Sequence, residues 1–158
     1  ALTLLKGGGA AEPVITSSTK VYLSIAKASD KTGRGTDEVV KMVRKAMLKA
    51  AGNEDGIVIA PADETAAQAT KRLAKWKSVK SLQLSPMVLE PRYADGKLHV
   101  KLEVAIFAYP RKVLKGNIPV KLSLEGVSEK DTSSEDDLIK SASESAIRKF
   151  SLNLERIQ

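Results

Sequence analysis

The turn Ala94-Asp95-Gly96-Lys97 and the run that follows it constrain this chain more than any other feature. Leu98, Val100, Leu102, Val104 and Ile106 alternate without a break with His99, Lys101, Glu103, Ala105 and Phe107. Strand side chains point to opposite faces at each step, so this run buries one face as a strand, whereas a helix would scatter its apolar residues all round. Asp-Gly supplies a tight hairpin turn, which joins this strand to the run over residues 79–90. A third run has the same period, with Ile118, Val120, Leu122 and Leu124 set against Pro119, Lys121, Ser123 and Glu125. Together the three runs predict an antiparallel sheet, dry on one face and largely wet on the other. Pro86 interrupts the 79–90 run and marks it as an edge or a bulge.

Upstream the elements alternate in kind. Val21, Leu23 and Ile25 alternate with Tyr22, Ser24 and Ala26, the pattern of a strand with two differently buried faces. A glycine loop follows, with Thr36 as N-cap and Asp37 and Glu38 in the first turn, where the helix dipole favours them. Val39, Val43, Ala46, Met47 and Ala50 then form one stripe, with Lys41, Arg44, Lys45 and Lys49 on the other side. Residues 57–60 are a short apolar strand, and Asp63 caps a second helix. In "DTSSEDDL", Ser133 or Ser134 caps a third helix, whose stripe is Ile139, Ala142, Ala146, Phe150 and Leu154. The order β-α-β-α-β-β-β-α predicts an α/β (α+β) sandwich, a mixed sheet of about five strands with helices over its dry face.

With 158 residues, 42% hydrophobic and 28% charged, the chain has the composition of one ordinary globular domain, placed at 20–158. Residues 1–19 are expected to be the end of an upstream helix and a linker hinged at Gly7, Gly8 and Gly9. "ALTLLKGGG" resembles the end of a helical-repeat segment, so an upstream helical-repeat domain is expected. No run approaches the about eighteen apolar residues of a membrane span. The absence of cysteine excludes disulfides, thiol catalysis and cysteine-ligated metals, and fits either redox compartment. Charge is uneven: residues 71–121 hold 12 Lys and Arg against Glu90, Asp95 and Glu103, a formal +9, leaving −2 for the rest of a chain whose total is +7. Such a basic middle can face an acidic protein, nucleic acid or anionic lipid, or simply solvent.

The loop between the first strand and helix has the outline of a phosphate loop without its chemistry. A Walker loop ends in Gly-Lys-Ser/Thr, but Thr36-Asp37-Glu38 follows Gly35, putting carboxylates where phosphates would lie. The dinucleotide fingerprint fails because Glu38 stands where its third glycine belongs. A small anion held by Lys31, Gly33, Arg34 and Gly35 stays open as the lesser alternative to a plain connection. His99, the single histidine, sits between Lys97 and Lys101 with no partners for a triad or a metal cluster. Glu54-Asp55 and Glu135-Asp136-Asp137 fall at helix ends, where capping accounts for them. No catalytic residue, metal ligand or cofactor is assigned, and the expectation is that the chain is not an enzyme. Nucleic acid is the competing partner, with Phe107 and Tyr109 placed on the parity of His99 and Lys101 for base stacking.

The run "VYLSIAKASDKTG", the amphipathic helix, short strand, second helix and long hairpin ending in "PVKLSLEGV" resemble a group of bacterial envelope domains. These are the TolB amino-terminal domain and its relatives in the curli-secretion and penicillin-binding-protein activator lipoproteins. The specific part is the Asp30-Lys31-Thr32-Gly33 loop. Two features depart from that pattern: Lys27-Ala28-Ser29 stands where the group has a proline and an aromatic, and "WKSVKSLQLSP" where it has a glycine-rich strand. The resemblance implies a non-enzymatic adaptor or scaffold in the periplasm or cell envelope that binds protein partners. A cytoplasmic location is the alternative. The docking surface expected from the charge is Lys97, Lys101, Arg111, Lys112 and Lys115.

Overall fold

A computed structural model describes residues 13–157. The helix end and glycine joint expected at the start of the chain lie outside the described residues, apart from a short lead-in from residue 13. Seven strands and three helices follow in order: β1 Val21–Ile25, β2 Ser29–Asp30, α1 Glu38–Gly52, β3 Ile57–Ile59, α2 Ala66–Leu73, β4 Lys80–Val88, β5 Arg92–Ala94, β6 Lys97–Ala108, β7 Leu114–Glu125 and α3 Thr132–Leu152, with a 3₁₀ turn at Leu154–Arg156. The fold is therefore α+β with one mixed sheet.

Across that sheet the main strands run β3-β1-β4-β6-β7. β1 is parallel to both β3 and β4, whereas β6 is antiparallel to β4, β5 and β7. β2 extends the line of β1 along β4, and β5 extends the line of β4 along β6. Neither short strand is long enough to show a period. The Asp-Gly turn forms as expected, with φ of 55° at Asp95 and 71° at Gly96, and it closes β5 onto β6.

β4 does not lie at an edge, and it is not broken at Pro86. Leu84 and Val88 direct their carbonyls to Ala26 and Lys31. Pro86 has the same parity, so its missing donor falls where β1 has ended and β2 has not begun. The proline is tolerated inside the sheet because its neighbour is locally absent.

β1 differs from expectation in burial. All five of its residues are buried, because a parallel strand flanked on both sides is covered on both faces. Val21, Leu23 and Ile25 join α1 and α3 in the main core, with Leu82, Leu84 and Val88 of β4, the even-numbered residues of β6 from Leu98 to Ile106, Ile118 and Val120 of β7, Met47 and Phe150. Tyr22 points the other way, into a second cluster with Ala60, Ala69 of α2 and Tyr109. The crossover through α1 leads from β1 out to β3, and the crossover through α2 returns past β1 to β4. Right-handed connections travelling in opposite directions put their helices on opposite faces.

The caps are displaced by one or two residues from those read in the sequence. α1 is preceded by Asp37 without a side-chain cap, while the Thr36 hydroxyl accepts from the Glu38 amide at 3.4 Å. Its stripe ends on Ala51 in place of Ala50. α2 is capped by Thr65, not Asp63, through a reciprocal capping box with Gln68. α3 is capped by Asp131, not Ser133 or Ser134.

Candidate functional site

Beyond α2 no helix among the described residues covers the sheet face opposite the main core, and the strand register stacks its side chains in rows. Arg92, His99 and Ser123 are cross-strand neighbours, and in the next row Lys101 faces Lys121 directly. His99 Nδ1 is 2.8 Å from the Ser123 hydroxyl. Together with Glu90 and Asp95, these residues line a shallow trough of about 570 Å³. Like charges directly opposite on a sheet repel. Glu103 lies 3.6 Å from Lys101, and Lys97 pairs with Glu125 at 3.5 Å, but exposed contacts of this kind contribute little.

The five basic residues expected to form one surface separate into two places. Lys97 and Lys101 lie near the Asp-Gly end of β6, while Arg111, Lys112 and Lys115 lie around the β6–β7 turn at its far end. Even from Lys101 to Phe107 the strand spans roughly 20 Å. Arg92, His99 and Lys121 belong with the first group, and sequence reasoning did not select them. The signal was available for Lys121, which shares the alternation of the third run. Tyr109 is not available for stacking: it is 9% exposed, and its ring lies 6.2 Å from that of Tyr22. Phe107 does carry the parity of the open face.

The glycine loop uses its arginine internally. Arg34 donates from Nη2 to Glu135 at 2.9 Å and from Nη1 to Asp136 at 2.6 Å. Glu135 is 1% exposed and also accepts from the Tyr93 hydroxyl of β5. Burial alone would raise the Glu135 carboxyl, but the Tyr93 and Arg34 hydrogen bonds, with the charges of Lys130 and Arg34, bring it below its ordinary value. Glu135 is therefore not a capping residue. It fastens the loop, β5 and the start of α3 together. The Asp30 carboxylate accepts from the Thr32 amide at 2.8 Å, an Asx turn that needs no ligand. With Arg34 committed to two carboxylates, Lys31 is left as the loop's side-chain cation for an anion.

A second buried carboxylate lies on the other face. Glu64 Oε2 accepts from the Tyr22 hydroxyl at 2.8 Å and from Arg72 Nε at 2.9 Å, and Oε1 accepts from the Tyr109 hydroxyl at 2.7 Å. Its side chain has no solvent exposure. Burial, then hydrogen bonding to this carboxylate, pushes the Tyr109 phenol up to about 12 and raises Tyr22 as well. Both phenols therefore stay protonated as donors at neutral pH. Beside them a cleft of about 460 Å³ opens at the carboxyl end of β1, bounded by α1, the β3–α2 loop and the turn after β6. Such strand ends are where open α/β sheets bind ligands. No local pattern points to Glu64, whose tyrosine partners come from 42 and 45 residues away.

Among the described residues no group of three or more histidines and acids is placed to hold a metal ion, and no helix is long and apolar enough to cross a membrane. No family model matches the chain, and no curated protein sequence matches it. Solved structures do match. A hypothetical protein of Chlamydia trachomatis aligns with a TM-score of 0.55 at 9% identity, over 87% of this chain and 96% of its own. A Xanthomonas campestris protein assigned to the DUF330 family aligns at 0.53 and 12% identity, over 89% and 90%. A protein described as a neuraminyllactose-binding hemagglutinin homologue from Helicobacter pylori aligns at 0.53 and 13% identity, over 92% and 87%. At such identities the likeness is one of fold, and it extends over nearly the whole of each bacterial chain.

Proposed function

We propose that this chain is a non-catalytic protein-interaction domain of a bacterial envelope protein, and that it docks an acidic protein surface on the open sheet face around Lys101 and Lys121. The observation that carries the proposal is their direct opposition on a face that no helix among the described residues covers. Arg92 adds positive charge in the neighbouring row, and a partner carboxylate between the two ammonium groups would relieve a repulsion that the free domain must tolerate. The envelope assignment and the TolB-type adaptor role rest on the 30–33 loop and the element order.

The test is a comparison of the wild-type chain with Lys101→Glu/Lys121→Glu as bait in cross-linking on intact bacterial envelopes. The wild type is expected to capture a discrete partner with an acidic surface, and the double variant is expected to lose it while keeping its melting temperature. The same capture by both would refute the surface. Binding to single-stranded RNA or DNA that falls steeply with salt would replace the protein partner by nucleic acid, with Phe107 as the stacking residue.

A further inference from the structure

The cleft at the carboxyl end of β1 lies apart from the open face and has a different composition. Its mouth carries Lys27, Arg44 and Lys112, and its walls include Val40, Pro61 and Pro110. Arg44 rises from α1 and donates from Nη1 to the Ile25 carbonyl at 2.6 Å. That bond uses one of the five guanidinium donors and fixes the group in place. The remaining donors have no protein acceptor among the described residues, and none is buried without a partner. They are therefore open to the solvent of the cleft.

The surrounding charges leave this arginine uncompensated. Lys41 pairs with Asp37 at 3.0 Å, and the charge of Lys27 also reaches Asp37. Arg44 and Lys112 form no ion pair among the described residues. Glu64, the one carboxylate among the described residues that line the cleft, accepts from two phenols and Arg72, and its side chain has no solvent exposure. A half-buried guanidinium pinned by a neutral carbonyl contrasts with Arg34, whose fork is filled by two acids. A fixed fork with free donors matches the two oxygens of a carboxylate or phosphate. The volume, about 460 Å³, falls within the range of small-molecule sites.

We infer that this cleft binds a small organic anion, with its carboxylate or phosphate on Arg44, assisted by Lys27 and Lys112, and its compact apolar body against Val40, Pro61 and Pro110. This site is independent of the docking face. Benzoate, phenyl phosphate and neutral benzyl alcohol, each titrated into the isotope-labelled 158-residue chain and followed by amide chemical shifts, distinguish the alternatives. At least one anion is expected to saturate, with shifts centred on residues 24–27, 40–44 and 109–112, and benzyl alcohol is expected to give no saturating shifts. Which anion saturates identifies the headgroup. Arg44→Gln should weaken binding by about tenfold or more, the scale of a hydrogen bond to a charged group. Lys112→Gln, at an exposed position, should weaken it severalfold, and it decides the matter if Arg44→Gln does not fold. Lys101→Glu/Lys121→Glu should leave the affinity unchanged. Failure of both anions to saturate, equal binding of benzyl alcohol, or unchanged affinity in the Arg44 and Lys112 variants would overturn the assignment.

Discussion

Glu64 and Glu135 are both acids withdrawn from solvent, with side-chain exposures of 0% and 1%, and they are held in different ways. Glu135 lies on the covered face, where a guanidinium shared with Asp136, one phenol and, at 3.8 Å, Lys130 surround it. The cations around it are used up. Glu64 lies on the other face, bound by two phenols and Arg72, and next to it the cleft keeps Arg44 and Lys112 without acidic partners. A buried carboxylate is thus no sign of a site by itself. What separates a structural staple from the wall of a binding cleft is whether neighbouring charge is left over once the acid is satisfied.

The largest effect expected from this contrast is at Arg34. Arg34→Ala leaves Glu135 buried without its guanidinium, and stripping one partner from a buried pair destabilises by about 3–5 kcal/mol. Urea unfolding should show that loss, with Arg34→Lys intermediate because a single ammonium cannot reproduce the fork to Glu135 and Asp136. An unchanged midpoint would remove the staple from the account. Tyr109→Phe should cost less, about 1–3 kcal/mol, by leaving one Glu64 oxygen unsatisfied while the ring still packs. Because this change borders the cleft, it should also alter anion affinity, which Arg34→Lys should not.

The two acids should further divide the pH dependence of stability. The folded-state carboxyl of Glu135 lies below its ordinary value of 4.5, so its contribution is present above that pH and is lost as pH falls through the depressed value. For Tyr109 the folded value is raised from 10.0 to about 12, so its contribution is complete below pH 10 and disappears as pH rises toward 12. Tyr22 and Tyr93 shift in the same direction and add to the alkaline limb. Unfolding free energies measured from pH 3 to 11 should lose part of the acid limb in Glu135→Gln and part of the alkaline limb in Tyr109→Phe. Identical profiles in both variants would mean that the limbs belong to other groups.

Legibility in the sequence follows the range of the interactions. The alternation from Leu98 to Ile106, the apolar stripe of α1 and the acid-rich start of α3 rest on neighbours within a few residues, and all three elements form, although the Asp-Gly turn joins β6 to the short β5 and not directly to the 79–90 run. β2 and β5 are two and three residues long and carry no period. The caps moved because "TDE", "ADET" and "DTSS" each offer several competent side chains side by side. Alternation in β1 predicts two differently buried faces and does not reveal the second covering layer that buries Tyr22. Its signal was chemical: a tyrosine in a five-residue strand buried throughout needs a partner for its hydroxyl. The partners of Glu64 and Glu135 come from other elements, 42 to 101 residues away for the tyrosines of Glu64 and the arginine of Glu135, so local pattern could not pair them. The open trough was half visible, in Lys97, Lys101 and the alternation that carries Lys121, while Arg92 required the register.

That register also supplies the smallest and most discriminating expectation. Lys121→Glu alone replaces a repulsion across β6 and β7 with an attraction to Lys101, and cross-strand pairs of this kind differ by roughly 0.2–1 kcal/mol. The variant should therefore melt slightly higher than the wild type. Function should move the opposite way, because the added carboxylate occupies the position proposed for a partner's acid and captures Lys101 internally. A residue whose replacement improves the isolated fold while weakening binding marks a place where stability has been given up for recognition. If Lys121→Glu is more stable and still captures the partner in full, the opposed lysines are a tolerated surface accident and the docking face lies elsewhere. If it is less stable, Lys101 and Lys121 are not opposed in solution as the β6–β7 register places them.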